Sequence, residues 1–380
     1  MVTFRDKGKV LHGSVRKRIL LFAAALLAAT DRAADVTRAP MLIAAILLAP
    51  ACTQDPEPAA APTGAYRVYV TNEGSGDLSI IDPVTRAVVG RVALGKRPRG
   101  IIASPDQRLL YIALSGSPVA GPGVDETTLP AADKTADGIA VFDVAAGKVL
   151  RVLRGISDPE QIAVSPDGAT LYVASEDTGR VMFMDARRGV IRATLVVGGE
   201  PEGLAASPDG KLVYATSEED STIAVIDAVQ PRVLVRVAVG KRPRSIAFLG
   251  SARAFVPGEN DASLSVIDVA SSKVTRRTII AGKGARPMGV VVAPAGDKVF
   301  VTTGRGGTLA SFDAATLAPA GETQVGERPW GVALSPDGGI AFTANGPSNN
   351  VTLVDTASMN VVARVAVGNR PWGVVAVATR

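Results

Sequence analysis

Charged and aromatic residues flank a set of prolines that recur along the chain. The residue before each proline is Arg97, Asp158, Glu200, Arg242, Arg286, Arg328 or Arg370, and the residue after it is Arg99, Glu160, Glu202, Arg244, Met288, Trp330 or Trp372. Trp330 and Trp372 are the only two tryptophans in the chain. Such side chains can bind a ligand or a protein partner, and the carboxylates could also act as bases or cation ligands.

The scarcity of histidine and cysteine excludes many other kinds of chemistry. The chain has one histidine, His12, and one cysteine, Cys52, so the body beyond residue 52 contains neither. Covalent haem attachment, structural zinc, iron–sulfur clusters, disulfides and Ser–His–Asp or Cys–His catalysis all require them. These chemistries are therefore excluded for the body. We predict no cofactor, no metal site and no catalytic residue, and the alternative is an enzyme whose carboxylates act with a divalent cation.

The net charge of +5 belongs to the N-terminal segment. Residues 1–51 hold eight of the 41 Lys and Arg residues and three of the 36 Asp and Glu residues, which leaves 33 of each sign in the remainder. A duplex-binding surface needs a clear excess of basic side chains, so we expect no binding of nucleic acid.

The prolines mark a sequence repeat that predicts the elements carrying these residues. The prolines are Pro98, Pro159, Pro201, Pro243, Pro287, Pro329 and Pro371. Five of the six intervals between them are 42–44 residues long, and the first is 61. Seven aspartates recur in parallel, each after an apolar run: Asp82, Asp143, Asp185, Asp227, Asp268, Asp313 and Asp355. Because they occur in every repeat, we interpret them as structural, accepting hydrogen bonds from the next turn. Seven copies indicate a repeat architecture.

Each repeat reads as four short strands. In Pro201–Gly240 the apolar runs are Leu204–Ser207, Leu212–Thr216, Thr222–Asp227 and Val233–Val239. Four strands in 40–45 residues are typical of a propeller blade. The chain enters with a second-type strand at Tyr66–Asn72 and ends with a first-type strand at Gly373–Ala378. We therefore predict an all-β, seven-bladed β-propeller over residues 65–380, with four antiparallel strands per blade, closed by the C-terminal strand joining the N-terminal blade.

In a four-stranded blade, one loop connects the second strand to the third, and another connects the fourth strand to the first strand of the next blade. Both kinds of loop lie on the same face of the propeller. The binding candidates on this face are Arg97, Arg99, Glu160, Glu202, Glu218, Arg242, Arg244, Arg286, Arg328, Trp330, Arg370 and Trp372. The second and third repeats would form an acidic sector, and the others a basic arc. As an alternative, the Arg and Glu residues pair with each other and the tryptophans plug the channel mouth. The insertion at 115–136 is expected on the same face, as a lid, a docking arm or a disordered loop.

The N-terminal segment resembles an export signal. Ile19–Ala29 and Met41–Ala51 are apolar runs of 11 residues, shorter than the roughly 20 that span a membrane. The second run ends at Ala49-Pro50-Ala51-Cys52, which fits a signal cleavage site and imperfectly a lipoprotein box. We predict a leader at 1–51, a Pro/Ala-rich tether at 52–64, and export to the periplasm or the outer membrane. Cys52 is the candidate for lipidation and the expected membrane contact, unless it is an incidental leader residue.

The body resembles a known family. Tyr69-Val70-Thr71-Asn72 is similar to the signature of the YVTN-repeat β-propellers, and repeats such as GKRPRGIIASPD and GERPWGVALSPDG extend the resemblance over the whole body. The order RPRG, DPE, EPEG and finally RPWG resembles the exported propellers associated with pyrroloquinoline-quinone-dependent alcohol catabolism. The resemblance implies a propeller with no established catalytic residue.

Three hypotheses for function follow. The first is an exported, monomeric, non-enzymatic propeller that binds a ligand or protein partner through its Arg-Pro loops, as an accessory to a periplasmic quinoprotein dehydrogenase system. The second is a lactonase or hydrolase that uses Glu160, Glu202 or Glu218 with a divalent cation. The third is a surface scaffold or adhesion protein, which would have no deep pocket at the channel mouth.

Overall fold

The computed structural model describes residues 65–119 and 128–379. The predicted leader at 1–51 and tether at 52–64, with Cys52, lie outside the described residues, as do residues 120–127 of the insertion. Within the two described ranges, no helix is long and apolar enough to cross a membrane.

Seven antiparallel sheets of four strands each make up the described body. The strands are β1 (Tyr66–Asn72), β2 (Asp77–Asp82) and β3 (Ala87–Ala93) in blade 1; β4 (Pro98–Ala103), β5 (Leu109–Leu114), β6 (Gly138–Asp143) and β7 (Lys148–Leu153) in blade 2; β8 (Pro159–Val164), β9 (Thr170–Ser175), β10 (Arg180–Asp185) and β11 (Ile191–Val196) in blade 3; β12 (Leu204–Ala206), β13 (Leu212–Ser217), β14 (Thr222–Asp227) and β15 (Arg232–Ala238) in blade 4; β16 (Ala247–Leu249), β17 (Arg253–Gly258), β18 (Ser263–Asp268) and β19 (Lys273–Ile279) in blade 5; β20 (Val290–Val292), β21 (Lys298–Thr302), β22 (Thr308–Asp313) and β23 (Pro319–Gln324) in blade 6; β24 (Pro329–Leu334), β25 (Ile340–Asn345), β26 (Asn350–Asp355) and β27 (Val361–Ala366) in blade 7; and β28 (Pro371–Ala378), which returns to blade 1. The prediction of a seven-bladed β-propeller is confirmed.

The C-terminal strand closes the ring, as predicted. β28 pairs with β1 in antiparallel register, with Val68 opposite Ala376 and Val70 opposite Val374. One hydrogen bond, from the amide of Thr379 to the carbonyl oxygen of Ala65 (2.8 Å), extends the ladder beyond the strand. The blade that contains β1 therefore has its full four strands, and β1 presents no unpaired edge.

The repeated aspartates shape the turns between third and fourth strands. The Asp227 carboxylate accepts the backbone amides of Val229 and Gln230, both at 3.0 Å. The equivalent carboxylate in blade 7, Asp355, accepts the amide of Ser358 at 2.7 Å. Each of the other five aspartates likewise accepts at least one amide of the following turn. The interpretation of these residues as structural is confirmed.

Apolar side chains fill the spaces between neighbouring blades rather than one central core. Seven buried clusters occur in the described body, and each combines residues of two adjacent blades. Between blades 7 and 1, for example, the Tyr66 and Phe342 rings meet edge to face with centroids 6.1 Å apart. Each blade therefore depends on both neighbours for burial of its faces.

The innermost strands approach each other so closely that the last glycine of the Arg-Pro motif has no room for a side chain. A Cβ atom built at Gly331 would lie 2.6 Å from the carbonyl oxygen of Trp372 in the next blade. One built at Gly373 would lie 2.6 Å from the carbonyl oxygen of Arg99. Real Cβ contacts are longer than this, so the glycine lets the backbones pack around the axis.

Removal of residues 371–380 should disrupt the whole fold, because it exposes the edge of β1 and one face of two interblade cores. We expect the truncated chain to lose more than about 5 kcal/mol of unfolding free energy, which is comparable to the stability of a whole domain. The measurement is thermal unfolding by circular dichroism. A synthetic peptide of residues 371–380 should restore the transition in trans, and the same peptide with Val377→Asp should not, because Val377 is 0% exposed. A cooperative, peptide-independent transition would contradict closure by this strand.

Candidate functional site

The Arg-Pro loops are anchored by threonines at the ends of second strands. The hydroxyl of Thr71 donates to the carbonyl oxygen of Arg99 (2.7 Å) and accepts the amide of Gly373 (2.9 Å). The hydroxyl of Thr302 donates in the same way to the carbonyl oxygen of Trp330, at 2.9 Å. The bonds to Arg99 and Trp330 each join the second strand of one blade to the inner loop of the next, whereas the bond from Gly373 lies within blade 1. The side chains of Arg99 and Trp330 are therefore placed by backbone bonds between blades.

The residue before the proline has an unusual backbone conformation in most repeats. Six of the seven adopt a φ of +40° to +56°, namely Arg97, Asp158, Glu200, Arg242, Arg328 and Arg370. This left-handed region favours glycine, and a larger side chain there costs free energy. Charged residues nevertheless occupy all six positions. Arg97, Asp158 and Arg242, for example, form ion pairs with neighbouring loops, which a glycine could not supply.

These loops enclose one cavity of about 570 Å³. Ten of the twelve predicted candidates line it: Arg97, Arg99, Glu160, Glu202, Arg242, Arg244, Arg328, Trp330, Arg370 and Trp372. Glu218 lies beside the cavity, in contact with Arg242 and Arg244. Arg286 does not line it, and its guanidinium donates instead to the side chain of Asn260.

The second-to-third loops contribute lining residues that the repeat analysis did not select. Glu73 follows β1, and Arg305 lies in the short helical turn after β21. Glu176 and Glu259 occupy matching places in blades 3 and 5. A signal was available, because each of these residues lies one to three positions beyond the end of a second strand.

The described ends of the insertion also reach the cavity. Ser117, Pro118, Val119 and Leu129 line it. The Arg97 guanidinium donates to the carbonyl oxygens of Ser117 (3.1 Å) and Pro118 (3.0 Å). These bonds hold the start of the insertion against the Arg-Pro loop of the same blade.

A first ionic cluster surrounds Arg99. Its guanidinium contacts Asp158 at 3.0 Å, Glu176 at 3.1 Å, and Glu160. Arg99 is 3% exposed, so the cluster is shielded from water. Three acidic groups around one arginine leave an excess of negative charge, which one bound proton reduces.

A second cluster surrounds Arg244 and is built from two adjacent blades, 4 and 5. The guanidinium contacts Glu202 and Glu218, and its Nε donates to Glu259 at 2.6 Å. Arg242 also donates to Glu218, at 2.5 Å. The acidic residues of the third repeat thus pair with arginines of the fourth instead of forming a separate acidic sector. This matches the alternative in which ring residues pair with each other.

Burial changes the protonation of the carboxyl groups in both clusters. Desolvation raises the pKa of Glu160 well above its ordinary value, against the opposing effect of Arg99. It raises the pKa of Glu218 to about 8, against the opposing effect of Arg242. Near pH 7 the Glu218 carboxyl group is therefore mainly protonated, and the raised pKa of Glu160 favours its protonated form in the same way. Within the described ranges, no group of three His, Cys, Asp or Glu residues is arranged to hold a metal ion.

The part of the cavity wall next to the Arg244 cluster is aromatic and cationic. The rings of Trp330 and Trp372 stack, with centroids 5.5 Å apart and planes 26° from parallel. The Cζ atoms of Arg328 and Arg244 lie 5.0 and 5.3 Å from the centroid of the Trp330 ring, within cation–π range. Trp372 is 8% exposed, so the pair also packs as part of the channel wall.

The stability of the protein should fall as the pH rises from about 4.5 to about 8. In this range the folded chain keeps a proton on Glu218 that the unfolded chain has released, so raising the pH favours unfolding. Glu218→Gln removes this titrating group, so the melting temperature of the variant should decrease less as the pH rises. Glu219→Gln, a change at the exposed neighbouring residue, serves as the control and should keep the wild-type decrease. Equal pH dependence in both variants would contradict a protonated Glu218.

Solved propellers share this fold at low sequence identity. A hydrazine synthase chain from Kuenenia stuttgartiensis is 21% identical, with a TM-score of 0.61 over 73% of this chain and 89% of that one. A putative 6-phosphogluconolactonase from Bacteroides uniformis is 16% identical, with a TM-score of 0.68 over 83% and 100%. A functionally unknown protein from Desulfotomaculum acetoxidans is 15% identical, with a TM-score of 0.68 over 83% and 99%. Such likeness shows the fold alone.

One short match and one family model complete the comparison. The PE-PGRS family protein PE_PGRS18 of Mycobacterium tuberculosis is 45% identical over 51 residues, which span 13% of this chain and 11% of that protein. The model of the YNCE-like β-propellers matches residues 30–379. This match covers nearly the whole chain, including all the blades described above. The protein is a member of the YNCE-like β-propeller family.

Proposed function

We propose that this protein is an exported, non-enzymatic propeller that binds a ligand or partner in the mouth formed by its Arg-Pro loops. The observation that carries the proposal is the cavity of about 570 Å³ lined by ten of the candidate residues. A volume of this size suits a small molecule or an inserted side chain of a partner. A plain scaffold would not require such a pocket.

The differences between repeats support the same conclusion. The turn aspartates recur in all seven blades, as expected for residues that serve the blade. The lining residues instead change from Arg and Glu in one half to Trp and Arg in the other. The rigid scaffold thus holds a set of loops that carry different chemistry, which is where binding residues are commonly found.

A lactonase or hydrolase is the second candidate. The favouring observation is the raised pKa of Glu160 and Glu218, since buried carboxyl groups of this kind can act as general acids. We rank this candidate second because Glu160, Glu202 and Glu218 all contact arginine side chains. A carboxylate held in this way is less available to a cation or a substrate.

A role beside a periplasmic quinoprotein dehydrogenase system rests on the order of the loop variants. Pro98 lies in RPRG, while Pro329 and Pro371 lie in RPWG, as in the exported propellers that this chain resembles. Export rests on the leader at 1–51, and attachment to a membrane rests on Cys52. The body would then act outside the cytoplasm as a monomer.

Photocrosslinking in intact cells tests whether the mouth is the binding face. A photoreactive amino acid replaces either Glu327, which is exposed in the loop before Pro329, or Val229, which is 76% exposed at a third-to-fourth turn on the opposite face. We expect specific adducts from position 327 and none from position 229, identified by mass spectrometry. Adducts from both positions alike, or from neither, would contradict binding at the mouth.

Lipidation is tested by Cys52→Ala. We expect the unmodified protein to incorporate a fatty-acid label and to partition into detergent, because each buried methylene of an acyl chain contributes about 0.8 kcal/mol to membrane binding. The variant should lose both properties, and its body should appear in the aqueous phase. A variant that keeps the label and remains in the detergent phase would contradict attachment through Cys52.

A further inference from the structure

The arginines on the tryptophan side of the cavity lack the carboxylate partners found on the other side. In the part of the chain that the structure describes, Arg305 and Arg328 form no salt bridge. Arg370 lies 3.7 Å from Glu73, but Glu73 is already engaged by Arg97 at 2.9 Å. All three of these arginines line the cavity. Three cationic groups therefore share at most one carboxylate.

The positive charges are close enough to repel each other. Burial lowers the pKa of Arg328 from its ordinary value, and the nearby guanidinium groups of Arg244, Arg305 and Arg370 lower it further, against the opposing effect of Glu259. Repulsion of this kind has a free-energy cost that a bound anion would relieve. The only acidic side chains that the described residues set against these charges are Glu259, through its effect on Arg328, and Glu73 beside Arg370.

One of these arginines lies against the stacked tryptophans. The Cζ atom of Arg328 lies 5.0 Å from the centroid of the Trp330 ring. The Trp330 ring in turn stacks on Trp372, which is buried in blade 1. A guanidinium group placed on an aromatic face keeps its N–H edge free, and that edge matches a carboxylate through two parallel hydrogen bonds.

We propose that Arg305, Arg328 and Arg370, with Trp330 as a platform, bind a small organic anion that carries two or more carboxylates. This inference rests on the proposed function and specifies its ligand. The cavity of about 570 Å³ accommodates a molecule of this class. The several guanidinium groups are separate side chains from separate loops, so an anion with more than one carboxylate can contact more than one of them.

The surrounding charges favour a small anion over a long polyanion. Glu73, Glu202 and Glu259 line the same cavity. A nucleic acid strand that crossed the mouth would meet these carboxylates. A compact molecule can occupy the cationic half alone.

Citrate, which carries three carboxylates, is the probe for this site. We expect binding by isothermal titration calorimetry, together with a change in tryptophan fluorescence. The emission reports on the site because Trp330 and Trp372 are the only tryptophans of the chain. Inorganic phosphate, as the second probe, should bind more weakly, and salt should weaken the binding of citrate. Phosphate binding as tight as that of citrate would overturn the assignment to carboxylates.

Two pairs of variants distinguish binding of citrate at this site from a general attraction between citrate and a positively charged protein. Arg328→Gln should weaken citrate binding by about tenfold or more, which corresponds to about 1.4 kcal/mol. Arg232→Gln removes an arginine that pairs with Asp227 at a third-to-fourth turn, and should leave the affinity unchanged. Trp330→Leu should weaken calorimetric binding, whereas Trp330→Phe, which keeps an aromatic face, should largely retain it.

Two further outcomes would overturn the inference. One is an absence of citrate binding to the wild-type protein, and the other is an equal loss of affinity in Arg328→Gln and Arg232→Gln. Failure of the proposed function is distinguishable, because photocrosslinking from position 327 does not depend on citrate. Adducts from that position without citrate binding would leave the mouth as the binding face and reject a carboxylate ligand.

Discussion

The close approach of the innermost strands is the constraint on which the rest of the structure depends. The last glycine of the Arg-Pro motif, such as Gly331 or Gly373, faces a backbone carbonyl group of the next blade. That carbonyl oxygen leaves no room for a Cβ atom on the glycine. Threonine hydroxyl groups bridge the same contact, as Thr71 does between β28 and the Arg99 loop. The backbone around the axis is therefore tightly placed, and the side chains next to each glycine point from a rigid frame into the mouth.

That frame allows unusual electrostatics at the mouth. Buried arginines collect several carboxylates from neighbouring blades, as Arg244 does with Glu202, Glu218 and Glu259. Isolated buried charges would be costly, and clusters with one protonated carboxyl group reduce that cost. Around Trp330 the balance of charge is reversed, because Arg328 lies 5.0 Å from the centroid of this ring and forms no salt bridge among the described residues. The mouth therefore has one part in which carboxyl groups surround the arginines and another in which the arginines are in excess.

Much of the site could be predicted because it follows from topology. The loops that precede first strands and follow second strands share one face in any four-stranded blade, so ten of twelve candidates line one cavity. The exceptions show the limit of this reasoning. Arg286 occupies the same repeat position as Arg328, yet its side chain bonds to Asn260 outside the lining. Arg305 was not selected, because its loop is a short helical turn without the charged pattern of the other blades.

The sequence by itself determined the architecture. The spacing of the prolines and aspartates set seven blades, the apolar runs set four strands in each, and the two terminal strands set the closure of the ring. These features are local or periodic, so they can be read along one dimension. Only the tertiary structure decided which arginine meets which carboxylate, that Trp330 and Trp372 stack, and that Arg305 and Arg328 form no salt bridge among the described residues. Such pairings join residues tens of positions apart, and differences of one or two ångströms across the mouth decide between a salt bridge and a free cation.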